Sequence, residues 1–137
     1  MATSAQVQYI NPDTLHKNPA FTNVIVVSGS AKTIYVGGQD SVDASGAIVG
    51  KGDFQAQAEQ VLKNIQAALA AAGADLHNVI KWNIFVVQGQ DLRAGLAEFQ
   101  KAWGNRPNPP AISGVFVAGL ANPNFLLEMD AIAVVPD

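Results

Sequence analysis

The hydrophobic and polar positions of this chain change their spacing several times, and each change predicts a different element. Runs rich in Val and Ile at 23–27 and 33–37 flank turn residues at 28–32, a pattern that predicts a β-hairpin. Apolar and polar side chains alternate over 80–87, which predicts a strand with one buried face. The prolines of 105–110 lack N–H donors, so this segment is predicted to be a stiff loop.

Two other segments carry apolar residues at three- and four-residue steps, which is the spacing of an amphipathic helix. The first helix is predicted to begin after Asp53, whose side chain can accept hydrogen bonds from the free N–H groups, and to end at Gly73. By the same signals the second begins after Asp91 and ends at Gly104.

Two closing strands, at 111–118 and 125–135, complete the order strand, strand, helix, strand, helix, strand, strand. This order predicts an α+β fold, with residues 1–137 forming a single domain. Strand–helix–strand crossovers are right-handed in nearly every case, so both helices are expected on one face of the sheet. The opposite face of the sheet is then left without cover.

The last predicted strand places apolar and acidic side chains together on that uncovered face. Alternation assigns Leu126, Glu128, Asp130 and Ile132 to it. Such a surface is too apolar for water and too charged for a dry core. We interpret this face as a subunit interface that contains a site. The alternative is a solvated face with scattered aliphatic side chains.

Composition narrows the classes of function. Of 137 residues, 49% are hydrophobic and 14% charged, which suits a folded chain with a core. The net charge is −3 and the eight Lys and Arg residues are spread along the chain, so we expect no nucleic-acid partner. The absence of cysteine excludes disulfides, thiolate nucleophiles and iron–sulfur ligation. The first seven residues lack a secretory signal, and no apolar run is long enough for a membrane span. We therefore expect a cytoplasmic protein without a membrane partner.

Few side chains are candidates for chemistry. Glu128 and Asp130 are two residues apart on a strand, so their carboxyl groups point the same way about 6.5–7 Å apart. Partial burial raises a carboxyl pKa and suits a general acid or base, and Glu128 is the stronger candidate. An ion pair with a basic side chain is the structural alternative. Arg106, in the proline-rich loop, can present a guanidinium to a substrate carboxylate or remain an ordinary exposed side chain. Phe21 is a candidate pocket residue.

Metal, phosphate and covalent-serine sites are not indicated. His16 and His77 share no ligand spacing with each other or with carboxylates, so neither a metal site nor a cofactor is expected. The segment 28–33 resembles a phosphate-binding loop only superficially, because Ala31 replaces the glycine before lysine and a strand follows. The chain contains no nucleophile-elbow motif for a catalytic serine.

Six segments taken in order resemble the YjgF/Rid (reactive intermediate deaminase) family. They are 18–24, 34–40, 57–73, 79–86, 110–115 and 127–133, and the resemblance runs from about Pro19 to Val134. It implies a chorismate-mutase-like α+β fold that assembles as a homotrimer with a small-molecule cleft between subunits. This agrees with the uncovered sheet face, and we predict that the trimer is held by the face that carries Leu126 and Ile132.

In deaminating members of the family, the resemblance implies, this cleft binds a 2-imino or enamine acid. An arginine holds the substrate carboxylate, and a glutamate on the last strand positions the water that hydrolyses the imine. Glu128 occupies the glutamate position, which makes it the catalytic candidate, whereas Ile112 occupies the arginine position. The remaining positions carried over as substrate-binding candidates are Phe21, Gly37, Leu96, Ser113 and Gly114, and Arg106 is added as a replacement for the missing arginine.

The loss of the arginine leaves two main hypotheses. One is an imine or enamine hydrolase of altered specificity, in which Glu128 orients water and the Ile112 side of the cleft takes an uncharged or apolar substrate. The other is a non-catalytic trimer that binds a metabolite or a protein. A competing explanation within the first hypothesis is that Arg106 takes the place of the missing arginine and binds a substrate carboxylate. Ribonuclease activity is disfavoured by the low basic content and the lack of a histidine pair.

Overall fold

The computed structural model describes residues 4–137 as six strands, two α-helices and one short 3₁₀-helix. The strands are β1 (Gln6–Ile10), β2 (Val24–Ser28), β3 (Ala31–Gln39), β4 (Val79–Val87), β5 (Ala111–Val117) and β6 (Leu127–Pro136). The helices are α1 (Phe54–Ala71) and α2 (Leu92–Trp103), and the 3₁₀-helix (Leu76–Asn78) precedes β4. Neither α-helix is long and apolar enough to cross a membrane.

The central sheet has the strand order β3-β6-β4-β5. β6 is antiparallel to both β3 and β4, and β4 is parallel to β5. β3 and β4 therefore run parallel, and α1 and α2 are each a crossover between parallel strands. This mixed sheet with two helices on one face confirms the predicted α+β, chorismate-mutase-like fold.

The core lies between the two helices and one face of this sheet. Trp82 of β4 is fully buried there, and its ring meets the ring of Phe99 edge-on at 4.8 Å and that of Trp103 at 6.0 Å between centroids. β6 contributes its small alternate residues, as the pattern predicted. The buried apolar residues of α1 lie on one stripe and are Phe54, Ala58, Val61, Leu62, Ile65 and Leu69. Asp53 caps α1 by accepting a hydrogen bond from the N–H of Ala56 at 3.0 Å.

The hairpin predicted between 23–27 and 33–37 is wrong in its pairing. Both strands exist, but β2 pairs with β1, a strand that was not predicted, and β3 pairs with β6. Gly29 has φ of 91° and bends the chain without closing a hairpin. The Ser30 carbonyl accepts hydrogen bonds from the N–H groups of Ala5 and Asp137, so β1 and the end of β6 meet at this bend. The turn residues determine the local bend, but they do not determine which strands pair across it, because the partners of β2 and β3 lie elsewhere in the sequence.

Leu126 also departs from its prediction. It lies one residue before β6, outside the regular alternation, and its half-buried side chain packs against the core cluster. Its N–H donates to the side-chain oxygen of Gln57 at 2.9 Å. Ile132 follows the prediction in position, since it lies within β6 and pairs with Tyr35 of β3. The uncovered face therefore begins at Glu128.

A buried amide joins the site-bearing strand to α1. Gln57 is fully buried, and its side-chain nitrogen donates to the carbonyl oxygens of Gly50 and Asn124 at 3.0 and 2.9 Å. Its side-chain oxygen accepts from Leu126 as described. Three backbone groups from two loops are thus satisfied by one side chain.

Replacement of this amide is expected to destabilise the fold. Gln57→Leu keeps the volume but removes three part-buried hydrogen bonds to backbone groups, which we expect to cost roughly 2–4 kcal/mol in free energy of unfolding. Urea denaturation measures this loss. Gln66→Leu, at an exposed position of the same helix, is the matched control and should change stability by less than about 0.5 kcal/mol. Equal stability of the two variants would contradict the assigned role of Gln57.

Candidate functional site

A cavity of about 430 Å³ lies between α2 and the helix-side face of the sheet, towards the edge strand β5. α1, α2, β4, β5 and β6 all contribute to its walls, as do Ala20 and Phe21 from the loop before β2. That loop is held in place because Thr22 donates its N–H to the Pro110 carbonyl at 3.1 Å. Every side chain that lines the cavity is apolar, so among the described residues it presents no charge to a ligand.

Four of the substrate-binding candidates line this cavity: Phe21, Leu96, Ile112 and Gly114. The register of β5 on β4 explains the last two. Ile112 pairs with Trp82 and Gly114 pairs with Ile84, so both β5 residues share the helix-side face. A Cβ atom added at Gly114 would meet no other atom within 4 Å, which leaves open space at this wall.

The mouth of the cavity is apolar and exposed. Leu92 and Leu96 of α2 and Phe116 of β5 line the cavity, and each is between 47% and 53% exposed. Apolar side chains clustered at the rim of a concave site are typical of a surface that a ligand or a partner covers.

Glu128 lies on the opposite face of the sheet, together with Asp130 and Ser113. Asp130 accepts a hydrogen bond from the Asn83 amide at 2.8 Å, and Ser113 accepts one from the Lys81 ammonium at 2.7 Å. Within one protomer the sheet thus separates the carboxylates and Ser113 from the cavity. The residues that the resemblance assigns to one cleft divide into two groups on two faces.

The Glu128 carboxyl is in contact with a second carboxyl that was not singled out as a candidate. The Asp40 side chain lies close enough to the Glu128 side chain for a hydrogen bond between the two carboxyl groups. Burial, followed by the charge and the hydrogen bond of Glu128, raises the pKa of Asp40 from 3.8 to about 7. Asp40 follows β3 directly, and the irregularity between Val36 and Gln39 brings the chain here. Only the run of two glycines before it hinted at a close approach.

Gly37 and Gly38 form the backbone beside this pair. A Cβ atom at Gly38 would lie 2.8 Å from the carboxyl carbon of Glu128, so only glycine fits there without displacing the carboxyl group. Gly37, the predicted candidate, is exposed, and a Cβ atom there would meet nothing within 4 Å. The close-approach position is therefore the neighbour of the predicted one.

Arg106 lies outside the cavity. Its guanidinium donates to the carbonyl oxygens of Ala102 and Trp103 at 3.0 and 2.8 Å, in the last turn of α2. The Trp103 indole N–H returns a hydrogen bond to the Arg106 carbonyl at 2.8 Å. A cation that satisfies the free carbonyls of a helix C-terminus acts as a cap. Within residues 4–137, no group of three or more potential ligand side chains is placed to hold a metal ion.

Comparison with known proteins shows the family of the chain. The sequence profile of the family described as endoribonuclease L-PSP matches residues 15–135. A RutC family protein of Synechocystis is 35% identical over 104 residues, covering 75% of this chain and 78% of that protein. The 2-iminobutanoate/2-iminopropanoate deaminase of Rattus norvegicus is 33% identical over 115 residues, covering 84% and 80%. The chain belongs to the YjgF/Rid family.

Solved structures of Rid proteins share its fold. YyfB of Yersinia pestis, described as a conserved Rid family protein of unknown function, superposes with a TM-score of 0.83 at 29% identity, covering 94% of this chain and 98% of that one. The YjgF gene product of E. coli superposes with a TM-score of 0.67 at 32% identity, covering 74% and 80%. This Rid protein therefore combines the family fold with an apolar cavity and with Ile112 where the resemblance expects an arginine.

Proposed function

We propose that this Rid protein hydrolyses an imine or enamine that carries no carboxylate, in clefts between the subunits of a cytoplasmic homotrimer. The observation that carries the proposal is the cavity, whose lining side chains are all apolar and include Ile112 at the arginine position. Support for imine chemistry comes from relatives named 2-iminobutanoate/2-iminopropanoate deaminase in rat and human. No cofactor or nucleic acid enters the reaction.

The apolar cavity walls support an uncharged substrate over a charged one. A carboxylate that enters such a cavity loses its hydration, and in the part of the chain that the structure describes no lining cation compensates this loss. Charge-assisted hydrogen bonds of the kind an arginine supplies contribute roughly 1.5–3 kcal/mol each. An uncharged alkyl or aryl group incurs no such loss and gains from burial against Phe21, Leu96 and Ile112.

A trimer reconciles the two faces of the protomer. The exposed cavity mouth and the Glu128 face are different surfaces, and both carry exposed apolar side chains, such as Phe116 on one and Tyr35 on the other. Contact between two unlike surfaces of identical subunits is heterologous and closes into a ring when the rotation permits. In the proposed trimer, the Glu128 face of one subunit covers the cavity mouth of the next. Each cleft then holds both apolar walls and a carboxylate.

Hydrolysis needs one base and one water. The water oxygen attacks the imine carbon while Glu128 accepts a water proton and passes it to the imine nitrogen, which gives a neutral carbinolamine and restores the Glu128 carboxylate. The carbinolamine hydroxyl proton then passes through Glu128 to the nitrogen as the carbon–nitrogen bond breaks, so the nitrogen leaves as neutral ammonia or amine. The products are an aldehyde or ketone and ammonia or an amine, and one water is consumed.

Turnover of neutral imines tests the proposal. We expect purified protein to accelerate release of benzaldehyde from N-benzylidenemethylamine above the buffer blank, and Glu128→Gln to lower that rate at least 100-fold. Glu59→Gln, at an exposed position of α1, is the matched control and should retain the wild-type rate. An aliphatic aldimine and 2-iminobutyrate complete the panel. A rate at the blank with every imine would overturn the proposal.

The alternative is a non-catalytic binder, and one observation favours it: the cavity and Glu128 lie on opposite faces of the protomer. The same panel separates the two. A binder would take up a neutral aromatic ligand without turnover, and Gly114→Val, which fills the open wall of the cavity, would abolish this uptake.

A further inference from the structure

The Asp40–Glu128 contact requires a proton. Two carboxylates offer only acceptor oxygens, so neither can donate to the other unless one of them is protonated. Oδ1 of Asp40 is buried, and no donor among the described residues reaches it. An ionised Asp40 would leave that oxygen without a hydrogen bond beside a second negative charge, whereas a protonated Asp40 donates to Glu128.

The backbone around the pair fixes the contact. The Asn64 side-chain nitrogen donates to the carbonyl oxygens of Asp40 and Val42 at 3.0 and 2.9 Å, which anchors the segment after β3 to α1. Gly38 packs directly against the Glu128 carboxyl group, as described above. These contacts hold the backbone on both sides of the pair close to the two carboxyl groups.

We propose that Asp40 is a positioning residue for Glu128: the two carboxyl groups share one proton, which Asp40 holds and donates, so that Glu128 remains an oriented carboxylate. This role rests on the proposed function, in which Glu128 accepts the proton of water. Loss of the shared proton places two negative charges in contact and drives Glu128 away from its position. Hydrolysis should then fall as the pH rises above neutral.

The charges around the pair support this assignment. Glu128 is the one charged group among the described residues that raises the pKa of Asp40, after burial as the larger cause. Asp130, next along the same face of β6, bonds to the Asn83 amide. Asp43, in the same loop as Asp40, is held by Ser45 and Ala47, which lower its pKa. From α1, the residue that reaches this segment is the uncharged Asn64.

The first test measures protons and needs no substrate. With ¹³C-labelled Asp and Glu side chains, carboxyl chemical shifts of the wild-type protein followed by NMR from pH 3 to 9 should show one titration near pH 7. Asp40→Asn should abolish it. Glu128→Gln should lower it without returning it to 3.8, because burial remains. Asp130→Asn, the matched control on the same strand face, should leave it in place.

Stability supplies a second readout. Because the folded state holds this proton up to about pH 7 and the unfolded chain loses it near 3.8, the stabilisation from Asp40 is present below pH 4 and is lost as the pH rises to 7. In urea denaturation, Asp40→Asn should remove this decline. Titration of Asp40 near its ordinary pKa of 3.8, or an unchanged decline in Asp40→Asn, would overturn the inference.

Activity distinguishes positioning from a structural role. Asp40→Asn keeps an amide donor for Glu128, so it should retain most of the imine hydrolysis rate at pH 7 and lose the fall above it. Asp40→Leu supplies no donor and should lose at least 10-fold in rate while remaining folded. Failure of all imine turnover with a normal shared-proton titration would overturn the proposed function and not the proton pair. The reverse result would overturn the pair alone.

Discussion

Tyr35→Asp is expected to convert the proposed trimer into monomers. The Tyr35 side chain is 77% exposed in the protomer, on the face that carries Glu128 and Ile132. In the proposed trimer this face is covered by a neighbouring subunit, which would remove the Tyr35 ring from water. An aspartate there would bring an unpaired charge into the contact, at a cost of about 3–5 kcal/mol per interface.

Position 35 is a sharper probe than position 132. Ile132 is half-buried, and Lys81 lies opposite it on β4, so an aspartate at 132 would find a cation within its own protomer. Tyr35 is exposed before assembly, and its replacement therefore leaves the protomer core intact.

Sedimentation at micromolar concentration measures the outcome. The wild type should sediment with the mass of three 14.3 kDa chains and Tyr35→Asp with the mass of one, both with the same circular dichroism spectrum. Gln66→Asp, on the exposed side of α1, should remain a trimer. A monomeric wild type would refute the assembly, and a trimeric Tyr35→Asp variant would show that another face forms the contact.

The elements that were predicted well are those whose signals are local. Each helix is signalled by a capping residue, Asp53 or Asp91, and by the apolar stripe that directly follows it in the sequence. The structure confirms both helices. The partner of each strand is not a local property. β1 was missed because five alternating residues are a weak signal, and β2 was paired with β3 because a bend and a hairpin turn use the same residues.

The candidate site was only partly predictable for the same reason. The resemblance assigned Ile112 and Glu128 to one cleft, but the face on which each lies follows from the register of β5 on β4 and of β6 between its neighbours. Asp40 was missed because its contact with Glu128 depends on the irregularity in β3 and on the glycine at 38. Such contacts join segments that are distant in sequence, and they produce no periodic pattern of apolar and polar residues that could predict them.

Ile112→Arg is expected to exchange the substrate preference of the protein. In the wild type we expect 2-iminobutyrate to be hydrolysed poorly or not at all, because no cation within residues 4–137 lines the cavity. A guanidinium at 112 would enter this wall with its apolar stem against the core and its charged end at the exposed mouth. A charge-assisted pair of about 1.5–3 kcal/mol corresponds to a roughly 10- to 100-fold gain on 2-iminobutyrate.

Release of 2-ketobutyrate, timed against spontaneous hydrolysis, measures that gain. We expect a loss of rate on neutral imines, because the hydrated cation at the cavity mouth disfavours entry of an apolar substrate. Ile112→Met, similar in volume and uncharged, is the matched control and should keep the wild-type preference. Arg106→Ala should also keep it, since the Arg106 guanidinium is bound to the carbonyls of α2. Wild-type hydrolysis of 2-iminobutyrate that disappears in Arg106→Ala would instead make Arg106 the carboxylate clamp. The same activity unaffected by Arg106→Ala would show that position 112 does not decide the substrate.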